Sequence, residues 1–283
     1  MSDAPRRRPP RNIPALLAEL RQERFSGAVV VVGGPGGALH LHGGLIVAVE
    51  TPAAPTAESV LLKSGRITEA DWAGARAATP PGGPLRAALI GGGLVGAAEL
   101  DMVCTAALFD GAFAMALNPA TGWRVDPAVP APELAASPGE EPARIAAETA
   151  RRLAVLRRHW TPLGEFVRAP VRPAPSARDG VRPLDARRSR LLLGVDGRRT
   201  PRDIAFATGR GVFPVLLDLA RLEAKRFIGR EPQEARAAPL VAVRAPTGPA
   251  ASPPGGGQET AGPLPRRTPR RRPDTGPASP QRD

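Results

Sequence analysis

Residues 91–96 read Gly91-Gly92-Gly93-Leu94-Val95-Gly96 and match the dinucleotide fingerprint G-x-G-x-x-G. That chemistry needs a strand before the glycines, a helix after them, and an acid at the end of the next strand. The helix would present its N-terminus to a pyrophosphate. Residues 86–90 make a poor strand, however, and Leu117 is followed by Asn118 rather than by Asp or Glu. His40 and His42 stand two apart, so on a strand they share one face. With Glu50 they would begin a zinc site, which wants a third and a fourth ligand. The plainer reading makes them exposed positions on a half-covered sheet. His159 is the remaining histidine, and Cys104 is the single cysteine. One thiol excludes an internal disulfide and a multi-thiolate metal site. Among Met102, Val103 and Leu108 it reads as a buried, inert thiol inside a helix. No Ser-His-Asp or Cys-His arrangement emerges. No catalytic residue, no metal and no cofactor is therefore expected.

The cations are the other chemistry-bearing groups. Arg198, Arg199, Arg202, Arg210, Arg221, Lys225 and Arg226 fall within 29 residues. On a DNA-binding module they would meet phosphates. Base reading usually places Arg, Asn or Gln at the N-terminus of the helix that enters the major groove. Here that position is Val212-Phe213-Pro214, which is apolar. Non-specific phosphate contact fits these residues better than sequence-specific reading. Arg144, Arg151 and Arg158 recur every seven residues, so they form a helical stripe that either touches an acidic partner or is simply solvated. Arg266, Arg267, Arg270, Arg271 and Arg272 make an accessory basic arm, proline-interrupted, in the tail.

Elements must position these groups. Ile13, Leu16, Leu17 and Leu20 recur at helical spacing. Three strands follow, at 28–32, 38–42 and 45–50, joined by glycine turns into a meander. From residue 56 the period becomes helical. A repeat with an offset of 28 residues runs through 61–72 and 89–100. Each copy ends a helix in leucine, turns on Gly65 or Gly93, buries Ile67 or Val95, and starts another helix. This repeat explains the glycines of 91–96 as a helix–helix turn. Residues 111–117 and 122–125 suggest a closing hairpin. Ile145, Thr149, Leu153, Leu156 and Trp160 place one amphipathic helix over 141–160. Three short helices follow, at 184–193, from a Thr200-Pro201-Arg202-Asp203 start, and at 212–227.

The chain has 283 residues, with 35 Pro and 31 Gly, about twice average usage. One compact domain spanning the full length is not expected. The breakers concentrate in two Pro/Ala-rich linkers, at 127–142 and 169–183, and in the tail from residue 230. Seven Phe, three Trp and no Tyr leave little for a base-stacking platform. No apolar stretch follows Arg6, Arg7 and Arg8 as an export signal requires, and no apolar run is long enough to cross a bilayer. The net charge is +12, but residues 12–130 are net −3 while residues 183–229 are net +5.

Two resemblances follow from these residues. Phe25-Ser26-Gly27-Ala28-Val29-Val30-Val31, with Leu39-His40-Leu41-His42-Gly43-Gly44-Leu45-Ile46-Val47-Ala48, resembles the PATAN-type domain over about residues 12–75. Ser26 stands where that family usually has Thr, and His42 where an aromatic or charged residue is common. Members accompany bacterial two-component and small-GTPase signalling proteins and are not known as enzymes. Leu192 and Leu193, followed by Val195-Asp196-Gly197-Arg198-Arg199-Thr200-Pro201-Arg202-Asp203-Ile204-Ala205, are similar to winged-helix modules of actinobacterial regulators, some labelled MarR-like.

The expected fold is α+β: a small antiparallel meander with packed helices, then a long helix and a winged-helix-like three-helix module. The expected parts are a disordered basic arm (1–11), a PATAN-like domain (12–126), a linker holding the basic helix (127–182), the winged-helix-like domain (183–229) and a disordered tail (230–283). The expected function is that of a cytoplasmic, non-enzymatic transcriptional regulator. Its N-terminal module docks a signalling partner, a GTPase or response regulator, and its C-terminal module binds double-stranded DNA, as homodimeric regulators do. The alternative is a protein-interaction adaptor of a small-GTPase or two-component system with no DNA contact.

Overall fold

A computed structural model describes residues 11–229 apart from 81, 82, 84, 162 and 175–183. The basic arm at 1–10, the tail with its accessory arginines, and much of the second linker lie outside the described residues. The architecture is mixed α+β. Helix α1 (Ile13–Gln22) starts where the Asn12 side chain accepts the Ala15 N–H at 2.9 Å, an N-cap that satisfies one orphan donor. Leu16, Leu17 and Leu20 are its buried stripe. The meander forms as β1 (Gly27–Gly33), β2 (Gly37–His42) and β3 (Leu45–Glu50), all antiparallel.

The two copies of the repeat become α2 (Ala57–Lys63) with α3 (Glu69–Ala77), and α4 (Leu85–Gly91) with α5 (Ala97–Met115). The Leu61 carbonyl accepts from the Arg66 N–H at 3.1 Å, and the Leu89 carbonyl from the Leu94 N–H at 3.0 Å. Both helices thus end in the same closing turn. Ile67 and Val95 are buried at equivalent places. Arg66 Nη2 reaches Glu99 Oε2 at 2.7 Å and ties one copy to the other.

Helix α5 is apolar nearly all round, and from Leu108 to Ala114 it is buried without a break, although Met102 in its first half is exposed. One face lies on β3, and Gly111 is the reason it can. A Cβ there would stand 2.9 Å from the Val49 carbonyl oxygen. The sequence suggested a hairpin at 111–125. Instead α5 continues to Met115 and the chain returns as β4 (Ala120–Asp126), which pairs with β1. The sheet order is β3-β2-β1-β4. Strand β1 buries Ala28, Val29 and Val31, and a buried strand with one bare edge would leave its backbone groups unsatisfied.

The first expected linker packs on the sheet. Ala136 N–H bonds to the Val47 carbonyl, and Glu140 and Ile46 exchange backbone hydrogen bonds at 2.8 and 2.9 Å. Helix α6 (Pro142–Arg157), the short α7 (Leu163–Phe166) and β5 (Arg172–Pro173) follow, then α8 (Ala186–Leu193), α9 (Pro201–Thr208), α10 (Val212–Ala224) and β6 (Ile228–Gly229). Thr200 and Asp203 form a complete capping box on α9. Strand β6 pairs with β5, which comes from the expected second linker.

Two hydrophobic clusters hold these elements. The first lies between the sheet, α1 and the repeat helices. The second centres on α10, but Ala53, Ala54, Phe113, Ala114, Leu156 and Trp160 belong to it. The core of residues 183–229 is therefore completed by α5, α6 and the β3–α2 loop, and all described residues fall in one compact unit. Trp160 stacks on Phe166 at 3.8 Å between centroids, and its indole N–H donates to Glu223 at 2.6 Å. These contacts fasten α6 and α7 to α10.

Candidate functional site

The glycines of 91–96 lie between α4 and α5, and a helix, not a strand, precedes them. The turn is the second copy of the repeat, so the strand–loop–helix cradle that a pyrophosphate needs is not formed. His40 departs from its expected exposure. It is buried at 2 %, in register with Ala28 and Ala48, while His42 is exposed. Leu39, His40 and Leu41 are all buried, so both faces of β2 are covered here, while the shift in its pairing with β3 leaves Val47 of β3 as the extra residue. Pro127, Val129, Pro130, Ala131 and Ala135 line a hollow with Leu41, His42 and Val47. His40 Nε2 meets Glu50 Oε2 at 2.9 Å, and its Nδ1 is buried with no partner. Among the described residues no cluster of three or more metal-type ligands exists. Cys104 is buried in α5, and burial pushes its thiol up to about 11, which leaves it un-ionised and unreactive at neutral pH.

The arginines are largely engaged within the chain. Asp218 on α10 is 1 % exposed and is ringed by four guanidinium groups. Arg187 and Arg210 meet its Oδ2, Arg187 at 3.0 Å, and Arg188 and Arg221 meet its Oδ1 at 3.7 and 3.5 Å. Burial raises the Asp218 carboxyl, but Arg210 and Arg187 more than reverse this and hold it below the ordinary carboxylate range. Of the seven expected phosphate contacts, Arg210 and Arg221 belong to this hub. Arg199 pairs with Asp196 at 3.5 Å. Arg202 donates to the Pro52 carbonyl and lies over the Phe206 ring. Arg198, Lys225 and Arg226 are exposed. The seven do not form one strip. Arg198, Arg199 and Arg202 sit at the start of α9, Arg210 beyond its end, and Arg221, Lys225 and Arg226 at the end of α10. On α6, Arg144 pairs with Glu140 and Arg151 with Glu148, while Arg158 is exposed.

The helix expected to enter a groove is turned inward. Val212, Val215, Leu216, Leu219 and Leu222 are fully buried. At its N-terminus, Asp110 of α5 accepts the Val212 N–H at 2.6 Å and the Phe213 N–H at 2.9 Å. Asp110 caps α10 across 102 residues of sequence. Phe213 meets Phe113 edge to face at 5.4 Å and lies under the Arg152 guanidinium at 4.9 Å. Gly209 fits the same junction. It has φ of +61°, and a Cβ there would stand 2.7 Å from the Ser64 nitrogen at the end of α2.

Sequence reasoning missed Asp110 and Asp218. The available signal was an acid inside an otherwise apolar helical stretch, which must be satisfied by donors when buried. It also missed a cleft of about 320 Å³ beside the sheet edge, floored by Trp72, Leu85, Cys104 and Leu108. Compared with known proteins, the chain matches no family model, no curated protein and no solved structure.

Proposed function

We propose that this chain is a non-enzymatic, cytoplasmic adaptor of a signalling system, which binds an acidic protein partner and does not read DNA. One observation carries this choice over the transcriptional regulator. The N-terminus of α10, where base-reading side chains would stand, is capped by Asp110 and packed against Phe113. This inward attachment speaks against α10 as the helix that enters a major groove. The exposed cations remain. Arg187 and Arg221 flank the Asp218 hub, whose four arginines face two carboxylates, Asp218 and the Asp185 that pairs with Arg188, and Arg198 and Lys225 are exposed elsewhere on the C-terminal helices. Such a surface attracts an acidic partner over about a Debye length and speeds its docking. The resemblance of residues 12–75 to PATAN-type domains points to a GTPase or a response regulator as that partner.

Two measurements on the full chain test this reading. The first is a gel shift with random and genomic duplexes at about 50 mM salt. The expected result is weak retention without sequence preference, lost at physiological salt. Sequence-selective binding that survives 150 mM salt would establish the regulator instead. The second is co-purification after nuclease treatment. An acidic signalling protein should be retained by the wild type and lost from the Arg198→Glu, Lys225→Glu variant, whose changes lie outside the Asp218 hub.

A further inference from the structure

The repeat helices close against the sheet edge around a cleft that no part of the adaptor reading uses. Its walls are the end of β3, the first turn of α2, the inner faces of α3, α4 and α5, and loop 132–134. Its volume of about 320 Å³ lies at the small end of ligand pockets. The floor is apolar and fixed: Trp72, Leu85, Cys104 and Leu108 are each at most 8 % exposed. The rim is acidic. Glu50, Glu58 and Glu133 line it, and Arg76 is the one cation there. Arg76 pairs with Glu133, so these two charges cancel each other. Glu50 faces His40, which is charged only when protonated. Glu58 is exposed in the first turn of α2 and takes part in no ion pair among the described residues.

An apolar floor beneath Glu58, and beneath a Glu50 held only by the His40 imidazole, selects a particular ligand chemistry. A hydrocarbon or aromatic body would displace water from Trp72 and Leu108, and an ammonium group would meet Glu58 and Glu50 in charge-assisted hydrogen bonds. A carboxylate or phosphate ligand would meet repulsion at the same rim. We propose that this cleft binds a small amphiphilic amine, with its apolar body on Trp72, Leu85 and Leu108 and its ammonium group between Glu50 and Glu58. The site lies on the repeat helices, away from the α8–α10 cations, and it stands or falls independently of the adaptor reading.

Calorimetry on the full chain at pH 7 tests the proposal, with 2-phenylethylamine as the probe, 2-phenylethanol as its neutral analogue and 3-phenylpropionate as its charge-reversed analogue. The amine should bind, the alcohol about tenfold more weakly, and the carboxylate not measurably. Glu58→Gln should weaken the amine about tenfold and leave the alcohol unchanged, whereas Glu165→Gln, at an exposed glutamate outside the cleft, should change neither. The indole emission of Trp72 supplies a second readout that does not depend on heat. The amine should change that emission at a lower concentration in the wild type than in Glu58→Gln. Equal binding of amine and carboxylate, an unaltered Glu58→Gln, or no binding of the amine at millimolar concentration would overturn the proposal.

Discussion

Asp110 and Asp218 are both buried acids, yet they do opposite work. Among the described residues Asp110 forms no ion pair, although the Arg152 charge acts on it, and it serves two amides at the start of α10. Asp110→Ala should cost about 3 kcal/mol, because it leaves two buried N–H groups unsatisfied. Urea unfolding of both proteins measures this. Burial raises the Asp110 carboxyl above its ordinary value. Its contribution is thus present at low pH and declines as pH rises through the folded value. Asp218 is lowered, as is Glu148, which Arg151 and Arg152 hold at about 2. For these groups the sign is reversed. The stabilisation is complete above the ordinary carboxylate range and is lost as pH falls toward 2. Unfolding midpoints at pH 7, 5 and 3 should therefore fall, and Glu148→Gln should flatten that fall. Asp218→Asn removes the only negative charge at the centre of four arginines, and about 3 kcal/mol of stability should go with it. The variant that remains folded should elute later from heparin than the wild type. Unchanged stability would mean that the hub is surface decoration.

At the scale of elements, the junction of α9 with α2 rests on Gly209. Gly209→Ala would force a left-handed conformation on a residue with a Cβ and drive that Cβ into the backbone of α2. A loss of at least about 2 kcal/mol is expected, read by the same urea titration. Much of this level was legible in the sequence. The caps at Thr68 and Thr200, the meander, the helix over 142–157 and the equivalence of the two repeat turns follow from local chemistry that acts within a few residues. Strand β4, the strand-like pairing of Glu140 with Ile46, and the β5–β6 pair were not legible. Each is fixed by a backbone partner far away in sequence, and Pro- and Ala-rich composition says nothing about such a partner. The exposed reading of His40 failed for the same reason. Both faces of β2 are covered at His40, and segment 127–136, whose composition reads as a connector, lies over its neighbours Leu41, His42 and Val47.

At the scale of the molecule, the charge asymmetry is real but its meaning has shifted. The basic C-terminal half is held to the near-neutral half through α5, which contributes to both cores. A fragment of residues 183–229 lacks Phe113, Leu156 and Trp160 and should show no cooperative unfolding by circular dichroism, whereas residues 11–229 should melt in one transition. The candidate site was legible only as a list of cations. Which of them are neutralised depends on Asp218, and whether α10 is free depends on Asp110, and neither relation leaves a trace in local spacing. The adaptor reading rests on the inward attachment of α10. Amide hydrogen exchange of Val212 and Phe213, with and without a random duplex at about 50 mM salt, tests that attachment directly. Slow exchange at both amides, unchanged by DNA, is the expected result. Fast exchange in the free protein, or protection that changes when duplex is added, would contradict it.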